Sequence, residues 1–334
     1  MERMRRTILA VTNRTGLLDT YGSLKGRLMK SRVVIVMYHR ISARTDNWSL
    51  KPTSPDIFEN QIRYFVDNYE IVSLDRVVRC LDEGKLSEDK KALAITIDDG
   101  YKDNYVWAYP ILRKYHVPAT IFLVTRHIGS DELFWWEKVA YLVRHAAITE
   151  IRLDGLGTYS LRHGPDRSDT THLICQGLKS VTDQRKNTLI ERLQNVCGLE
   201  VPRGLGTQTI LSWEEVREMS ENGIDFGAHS LTHPILTNMP LDTARQEIAY
   251  SKSEIQSRIE KAVDFFCYPN GVYNANVVNL VRESGFAGAV TIDPNWISAK
   301  TDPHMLGRVP ASDDFSTLKA VLCGLWGDLR NLYG

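Results

Sequence analysis

Two aspartates stand side by side where an apolar stretch of the chain ends. Asp98 and Asp99 follow the run "ALAITI" directly and precede Gly100. Adjacent carboxylates repel each other unless a cation, a proton or solvent relieves the repulsion. A solvated turn is the commonest setting of such a triplet, so the pair alone does not define a site. A bound cation would give one of the two carboxylates a role as a ligand.

A pair of histidines four residues apart offers the other half of such a site. His229 and His233 lie in "HSLTH", at the end of a strand candidate. Histidines at i and i+4 can reach one metal ion if the segment turns helically. Polar surface or capping histidines are the alternative interpretation.

The aspartates and the histidines together form a ligand set typical of zinc or another divalent transition metal. One carboxylate and two imidazoles leave a coordination position open for water, which is typical of a catalytic site. The remaining aspartate could then accept a proton from that water as a general base.

Strand-like and helix-like segments alternate along most of the chain. The strand candidates are 33–39, 92–98, 119–124, 224–230, 264–269, 287–292 and 306–310. The helix candidates are 54–69, 73–84, 104–116, 240–260 and 272–285. This alternation predicts a parallel sheet, either open or closed into a barrel. In both architectures active sites assemble at the C-terminal ends of the strands, where His39, Asp98, Asp99, His229 and Asn270 all lie.

Two segments depart from this alternation. Residues 126–210 contain an aromatic helix, a hairpin pattern and a further helix, which predicts an insertion on the barrel that could cap the site. Residues 1–32 are basic and partly apolar, and we expect a helical extension there. Such a helix could contact an anionic membrane surface, although an ordinary surface helix has the same pattern.

The composition is that of a folded globular protein. The 334 residues can bury a large core, and 43% of them are apolar. Lysine plus arginine equals aspartate plus glutamate, 41 each, so no overall basic field suggests a nucleic-acid partner.

Targeting signals and cysteine spacing point to the cytoplasm. The apolar run "TILAV" is too short for a signal peptide, and no run approaches the roughly 20 residues of a membrane span. The five cysteines are scattered and lack any CxxC spacing, which is typical of reduced thiols. We therefore expect a cytoplasmic protein, with membrane association through the basic N-terminal segment as an alternative.

The combination of "TIDDG" and "HSLTH" resembles the metal-dependent polysaccharide deacetylases, carbohydrate esterase family 4, which share a NodB homology domain. The resemblance covers residues 33–124 and 211–310. It implies a distorted (β/α)7-type barrel within a deacetylase domain of residues 33–334, interrupted by the insertion. It also implies hydrolysis of the N-acetyl group of N-acetylated amino sugars, with release of acetate.

The same resemblance assigns roles to the four motif residues. It makes Asp98 the catalytic base and makes Asp99, His229 and His233 the ligands of a divalent metal. Zn²⁺ is the expected metal, with Co²⁺, Ni²⁺ or Mn²⁺ as alternatives.

The chain departs from the family pattern in two motifs. Where many members have an arginine that orients the base, this chain has Cys267 in "CYPNG". Arg308 in "LGRVP" is our candidate for that orienting role, with a surface salt bridge as the alternative. Within "CYPNG", Tyr268 is a candidate substrate contact and the backbone N–H of Asn270 a candidate oxyanion donor.

The family's late Leu-x-His segment, which supplies the general acid, is "LGR" here. However, "VMYHRI" resembles a subgroup that deacetylates poly-N-acetylglucosamine and has an N-terminal "YH" strand. His39 is therefore our candidate general acid, with a structural histidine as the alternative. Trp296 and Leu306 are candidates for lining the sugar and acetyl pocket, and both also suit the core at the barrel end.

Three other functions compete with polymer deacetylation. A decayed site would leave a glycan-binding module, although the complete set of four motif residues argues against it. Two aspartates could hold Mg²⁺ for phosphoryl transfer, but no GxxxxGK loop is present and histidines suit Mg²⁺ poorly. The substrate could also be a cytoplasmic or lipid-linked saccharide or another small amide. The sequence indicates an N-acetylated carbohydrate partner and does not define an oligomeric state.

Overall fold

The computed structural model describes residues 33–43, 50–83, 91–161 and 167–325, together with residues 12, 20 and 21. Most of the predicted N-terminal extension, including its proposed membrane contact, lies outside these residues.

Short apolar runs form the strands, as their composition predicts. Every residue of the strand that precedes the two aspartates is buried, as expected for a parallel strand covered on both faces. The strands are β1 (Val33–Tyr38), β2 (Glu70–Ile71), β3 (Ala92–Ile97), β4 (Ala119–Leu123), β5 (Glu150–Leu153), β6 (Gly157–Ser160), β7 (Ile224–Ala228), β8 (Phe265–Cys267), β9 (Gly288–Val290) and β10 (Val309–Pro310).

Parallel pairing joins these strands into a curled sheet with the order β10-β1-β3-β4-β7-β8-β9. The short strand β2 pairs with the first half of β3. The segment that contains β10 contacts both edges of this sheet, because Leu306 bridges Val290 while Val309 pairs with Val36. The predicted distorted (β/α)7-type barrel is therefore confirmed.

Helices connect the strands and cover the outside of the sheet. They are α1 (Pro55–Asn68), α2 (Leu74–Asp82), α3 (Tyr109–Lys114), α4 (Trp135–His145), α5 (Ser168–Lys179), α6 (Asp183–Cys197), α7 (Leu205–Thr209), α8 (Trp213–Glu221), α9 (Leu241–Ile259), α10 (Ala275–Glu283) and α11 (Phe315–Leu322). Local sequence begins several of them: Ser54 caps α1, which starts at Pro55, and Ser212 forms a capping box with Glu215 at α8. None of the described helices combines the length and the hydropathy that a membrane span requires.

The segment between β4 and β7, which the sequence predicts to be an insertion, contains helices and a hairpin. Strands β5 and β6 pair antiparallel, and α4 to α7 accompany them. A buried polar contact ties this insertion to the barrel. The hydroxyl of Tyr101, in the segment after β3, donates to the Glu137 carboxylate at 2.7 Å and accepts a hydrogen bond from the Trp136 indole at 2.7 Å. Glu137 is fully buried, so the contact is shielded from water.

Alternation along β3 determines which side chains face the barrel interior. Ala92 and Ala94 belong to an interior cluster with residues of β1, β4, β8 and α2, whereas Leu93 and Ile95 pack against the outer helices. Because successive side chains of a strand point to opposite faces, Thr96 and Asp98 continue the inward row. Strand periodicity thus places the first aspartate inside the mouth of the barrel.

Gly227 in β7 is required by the same interior packing. A Cβ atom there would lie 2.4 Å from Cε1 of Phe122 and 2.9 Å from the carbonyl oxygen of Phe265. We expect Gly227→Ala to destabilise the fold by about 1–3 kcal/mol, because β7 would have to shift. Urea unfolding followed by circular dichroism measures this change.

The double variant Gly227→Ala/Phe122→Leu is the matched test, since the smaller side chain makes room for the new methyl group. We expect it to be more stable than Gly227→Ala alone. A single variant as stable as the wild type would contradict the close approach of β7 to Phe122.

Candidate active site

Residues from several strand ends line one cavity at the mouth of the barrel, with a volume of about 210 Å³. The residues that line it are His39, Leu50, Asp98, Asp99, Trp135, Trp136, Thr171, His172, Cys175, Gln176, Lys179, His229, His233, Tyr268, Asn270, Gly271, Ile292 and Arg308. Eight of the ten candidate site residues from the sequence are in this set. The strand ends therefore bring together side chains that are far apart in the chain, as expected for a barrel.

The Asp98 carboxylate forms a bidentate ion pair with the guanidinium of Arg308. The Nη1–Oδ1 and Nη2–Oδ2 distances are both 2.7 Å. Arg308 also donates to the Thr291 carbonyl at 2.9 Å, to the Thr96 hydroxyl at 3.1 Å and to the Cys267 sulfur at 3.1 Å. All five donors of this fully buried guanidinium thus have partners. The structure places Arg308 where an orienting residue for the base would lie, and not in a surface salt bridge.

The ion pair sets the charge of Asp98. Burial by itself would raise the pKa of this carboxyl, but the charge and hydrogen bonds of Arg308 outweigh burial and hold it well below its usual range. Burial raises the pKa of the Cys267 thiol well above its usual value, so this group stays protonated. Its sulfur lies 3.5 Å from Oδ2 of Asp98, as a weak donor to the same carboxylate. Asp98 is therefore an ionised carboxylate in a fixed orientation.

Asp99, His229 and His233 form a cluster with the geometry of a metal site. Their candidate ligand atoms all lie within 4.8 Å of one another. Oδ1 of Asp99 is 3.6 Å from Nε2 of His229 and 3.8 Å from Nε2 of His233. Nδ1 of His229 donates to the Cys267 carbonyl at 2.8 Å, which leaves its Nε2 lone pair facing the cluster. These residues fit a divalent transition metal, because their donor atoms and tautomer are those that such an ion requires.

The electrostatics of the cluster favour metal binding as well. Burial lowers the pKa of His229 to about 4, and burial together with His229 lowers the pKa of His233 well below its usual value. Both imidazoles are therefore neutral at pH 7, which is the form that ligates metals. Burial and the charge of Asp98 raise the pKa of Asp99 well above its usual range in the metal-free protein. A bound cation would relieve this repulsion.

The two histidines converge through a loop and not through the helical turn that the interpretation from sequence made the condition for their meeting. The chain after β7 is irregular, with left-handed φ values of 63° at Ser230 and 61° at His233. The Ser230 hydroxyl accepts the His233 N–H at 3.0 Å. The Glu247 carboxylate in α9 accepts two backbone N–H groups of this loop at 2.9 Å and the Thr232 hydroxyl at 2.8 Å. A buried carboxylate thus holds a strained loop, for which the sequence has no local signal.

His39 lies at the same cavity, on the other side of Asp98. Its Nε2 is 3.9 Å from Oδ2 of Asp98, and its side chain is 34% exposed. Desolvation lowers the pKa of His39, while the negative charge of Asp98 opposes this shift. The Asn104 amide donates to the His39 carbonyl at 3.0 Å and fixes the backbone. The imidazole therefore faces both the Asp98 carboxylate and the cavity.

The remaining sequence candidates divide into two groups. Asn270, with a left-handed φ of 56°, and Tyr268, whose hydroxyl donates to the His304 carbonyl at 3.0 Å, both line the cavity. Trp296 and Leu306 are not among the lining residues. Leu306 is fully buried in the interior cluster of the barrel, and Trp296 packs against the outer core. Their apolar character reflects core packing at the barrel end.

The insertion supplies a wall of the cavity that the motifs did not identify. Trp135 and Trp136 of α4 line it, and the Trp136 ring packs edge-on against His233 with a centroid distance of 4.8 Å. The lining residues of α5 are Thr171, His172, Cys175, Gln176 and Lys179. Their spacing is that of one helix face, a signal that the sequence does contain.

Comparisons with known proteins identify the family of this chain. The family profile described as "Polysaccharide deacetylase" matches residues 85–289. A poly-beta-1,6-N-acetyl-D-glucosamine N-deacetylase from Staphylococcus epidermidis is 30% identical over 251 residues, which cover 66% of this chain and 81% of that protein. The chain therefore belongs to the polysaccharide deacetylase family, whose members are hydrolases acting on carbon–nitrogen bonds.

Solved structures share the fold. The Streptococcus pyogenes deacetylase PplD, in complex with acetate, aligns with a TM-score of 0.59 and 20% identity, covering 87% of this chain and 97% of that one. IcaB from Ammonifex degensii aligns with a TM-score of 0.57 and 15% identity, covering 88% and 98% respectively. Both likenesses support the barrel architecture.

The buried ion pair leads to a stability prediction. We expect Arg308→Met to destabilise the metal-free protein by about 3–5 kcal/mol, because it leaves the buried Asp98 charge without its partner. The double variant Asp98→Asn/Arg308→Met should recover much of this loss, since it removes both charges. Urea unfolding of both variants measures the difference.

Arg245→Met is the matched control, because Arg245 forms an exposed pair with Glu283 and its loss should change stability by less than about 1 kcal/mol. A double variant no more stable than Arg308→Met would contradict the assignment of the loss to an uncompensated charge.

The pKa of His229 leads to a pH prediction for the metal-free protein. The unfolded chain takes up a proton near pH 6.5, whereas folded His229 takes it up only near pH 4. Folding stability should therefore fall as the pH decreases from 6.5 to about 4. Thermal unfolding across this range measures the slope, and His229→Gln should flatten it. The exposed His145→Gln variant should leave it unchanged, and an equal flattening in both variants would contradict the assignment.

Proposed function

We propose that this protein is a metal-dependent N-deacetylase that releases acetate from N-acetylglucosamine-type polysaccharides or oligosaccharides. The observation that carries the proposal is the juxtaposition of an ionised base, Asp98, with the cluster of Asp99, His229 and His233 at the mouth of one cavity. The name of the Staphylococcus epidermidis relative, a poly-beta-1,6-N-acetyl-D-glucosamine N-deacetylase, supports an N-acetylglucosamine polymer as the substrate class.

The three ligands would hold one divalent ion, for which Zn²⁺ is the proposal because two imidazoles and one carboxylate suit it. When bound, this ion supplies positive charge that polarises an acetyl carbonyl and acidifies a water molecule. Co²⁺, Ni²⁺ and Mn²⁺ can bind the same three donors and are the alternatives to Zn²⁺.

Asp98 is the group that takes the proton from the attacking water. Its low pKa makes it fully ionised at neutral pH, and its bidentate contact with Arg308 prevents rotation of the carboxylate. The thiol of Cys267 makes a further weak contact with Oδ2 of Asp98. The backbone N–H of Asn270 at the cavity wall is the proposed donor to the tetrahedral oxyanion, and a donor in that role typically contributes about 3 kcal/mol.

His39 completes the proton transfer to the departing amine. Nε2 of His39 lies 3.9 Å from Oδ2 of Asp98, too far for a direct hydrogen bond. The proton taken from water would therefore reach the imidazole through a molecule between them and pass from there to the amine nitrogen. This route does not require His39 to be protonated beforehand, which agrees with the lowered pKa of the imidazole. The products are acetate and a glucosamine-type unit.

The alternatives fit the geometry less well. A decayed glycan-binding module does not need a carboxylate held by two donors of a buried guanidinium whose other three donors are also satisfied. Phosphoryl transfer on Mg²⁺ would favour oxygen ligands, whereas two of the three clustered ligands are imidazoles. A lipid-linked or cytoplasmic saccharide, or another small amide, would use the same chemistry, so these substrates belong in the test of the proposal.

Acetate release tests the proposed reaction. The panel contains chitooligosaccharides, β-1,6-linked N-acetylglucosamine oligomers, peptidoglycan fragments and nucleotide-linked N-acetyl sugars, each with metal-loaded and chelated protein. We expect metal-dependent release from at least one N-acetylglucosamine oligomer. Absence of acetate from the whole panel, with full metal occupancy, would overturn the proposal.

Substitutions distinguish the proposed role of the base from that of the metal ligands. Asp98→Asn should lower turnover roughly a hundred- to ten-thousand-fold while metal content stays at the wild-type level. Asp99→Asn and His233→Gln should lower the metal content itself, as measured by elemental mass spectrometry of the purified proteins. Wild-type turnover in Asp98→Asn would show that another group is the base.

A further inference from the structure

The insertion helix α5 presents one face to the active-site cavity. Thr171, Cys175 and Lys179 repeat at intervals of four residues along this face, and His172 and Gln176 flank them. These side chains lie opposite the strand ends that supply the base and the metal cluster. A bound sugar therefore has the barrel on one side and this helix on the other.

Lys179 differs from every other charged group at the cavity. Asp98 is paired with Arg308, and Asp99 belongs to the metal cluster. In the part of the chain that the structure describes, no carboxylate lies within 4.0 Å of the Lys179 ammonium, and no hydrogen bond holds it. Its charge nevertheless acts on the cavity, since it contributes to the lowered pKa of His39 and of His233.

A second donor at the same wall also lacks a protein partner. The indole N–H of Trp135 is buried, and none of the described residues accepts its hydrogen bond. Trp135 and Lys179 line the active-site cavity together and also share a small recess beside it with His233 and Asn270. Buried donors without a partner are rare in folded proteins, so a ligand acceptor at this position would satisfy it.

The charges of the cavity therefore do not cancel. The ion pair of Asp98 and Arg308 is neutral, a divalent ion would outweigh Asp99, and Lys179 adds a further positive charge. A concave site with excess positive charge favours a ligand that carries negative charge beyond its reacting group.

We propose that Lys179, together with the indole N–H of Trp135, binds an anionic group on the N-acetylated sugar and makes α5 the element that selects an anionic substrate. The anion is a carboxylate or a phosphate attached to the reacting sugar or its neighbour. This inference rests on the proposed deacetylation for the identity of the sugar, but its binding step does not depend on turnover.

Three monosaccharide probes test the selection. Methyl N-acetylglucosaminide is neutral, N-acetylmuramic acid carries a carboxylate, and N-acetylglucosamine 1-phosphate carries a phosphate. Their dissociation constants are measured by calorimetry on metal-free wild-type protein, and acetate release from each is measured on the metal-loaded enzyme. The anionic probe that binds more tightly than the neutral probe identifies the type of anion that the site selects.

We expect at least one anionic probe to bind roughly fivefold more tightly than the neutral probe, as for a partly exposed ion pair. Lys179→Met should abolish this preference, Lys179→Arg should retain most of it, and added salt should weaken it. Lys138→Met is the matched control, because Lys138 also lies in the insertion but pairs with Glu132. That variant should keep the preference.

The outcomes distinguish this inference from the proposed function. Acetate release without any preference for an anionic probe overturns the anion site only. A preference that Lys179→Met abolishes, together with no acetate release from the oligosaccharide panel described above, supports the anion site and overturns the proposed function. A lower melting temperature in Lys179→Met with the preference intact shows that Lys179 only stabilises the end of α5, and it overturns the anion site.

Discussion

The bidentate contact between Arg308 and Asp98 is the interaction on which the site depends. Two adjacent carboxylates are buried at the end of β3, and each needs a different counter-charge. Arg308 neutralises Asp98, which leaves Asp99 to the metal cluster. The two paired residues are 210 positions apart, and the pairing of β10 with β1 brings Arg308 to the site. The orientation of the Asp98 carboxylate therefore depends on closure of the barrel.

Cys267 connects the base to the metal cluster. Its carbonyl accepts the Nδ1–H of His229, and its thiol lies beside Asp98. The sulfur is also 3.1 Å from Nη2 of Arg308, so a longer side chain at this position would occupy the space of the guanidinium. The small side chain at position 267 thus leaves room for the guanidinium that holds Asp98.

Much of the architecture is predictable because buried parallel strands are apolar throughout their length and end in polar residues. The same pattern identified Asp98, Asp99 and His229 without structural information. Prediction from this pattern failed where long-range contacts determine the conformation or the burial of a residue. The loop before His233 is not helical, because Glu247 holds it in a conformation that no local sequence pattern indicates. Leu306 looked like a pocket residue, but the register of its bridge to Val290 buries it below the site.

The insertion is part of the site and not an independent cover. Tyr101 lies shortly after the two aspartates in the chain. Its hydroxyl accepts a hydrogen bond from the Trp136 indole N–H and donates one to the buried Glu137 carboxylate. Trp136 in turn packs against His233, whose Nδ1 is buried without a hydrogen-bond partner among the described residues. A metal-binding histidine is normally oriented by a hydrogen bond to its second nitrogen. Here ring packing from the insertion takes the place of that bond, so the segment that lines the cavity also positions His233. Changes in the insertion should therefore affect substrate selection and metal binding together.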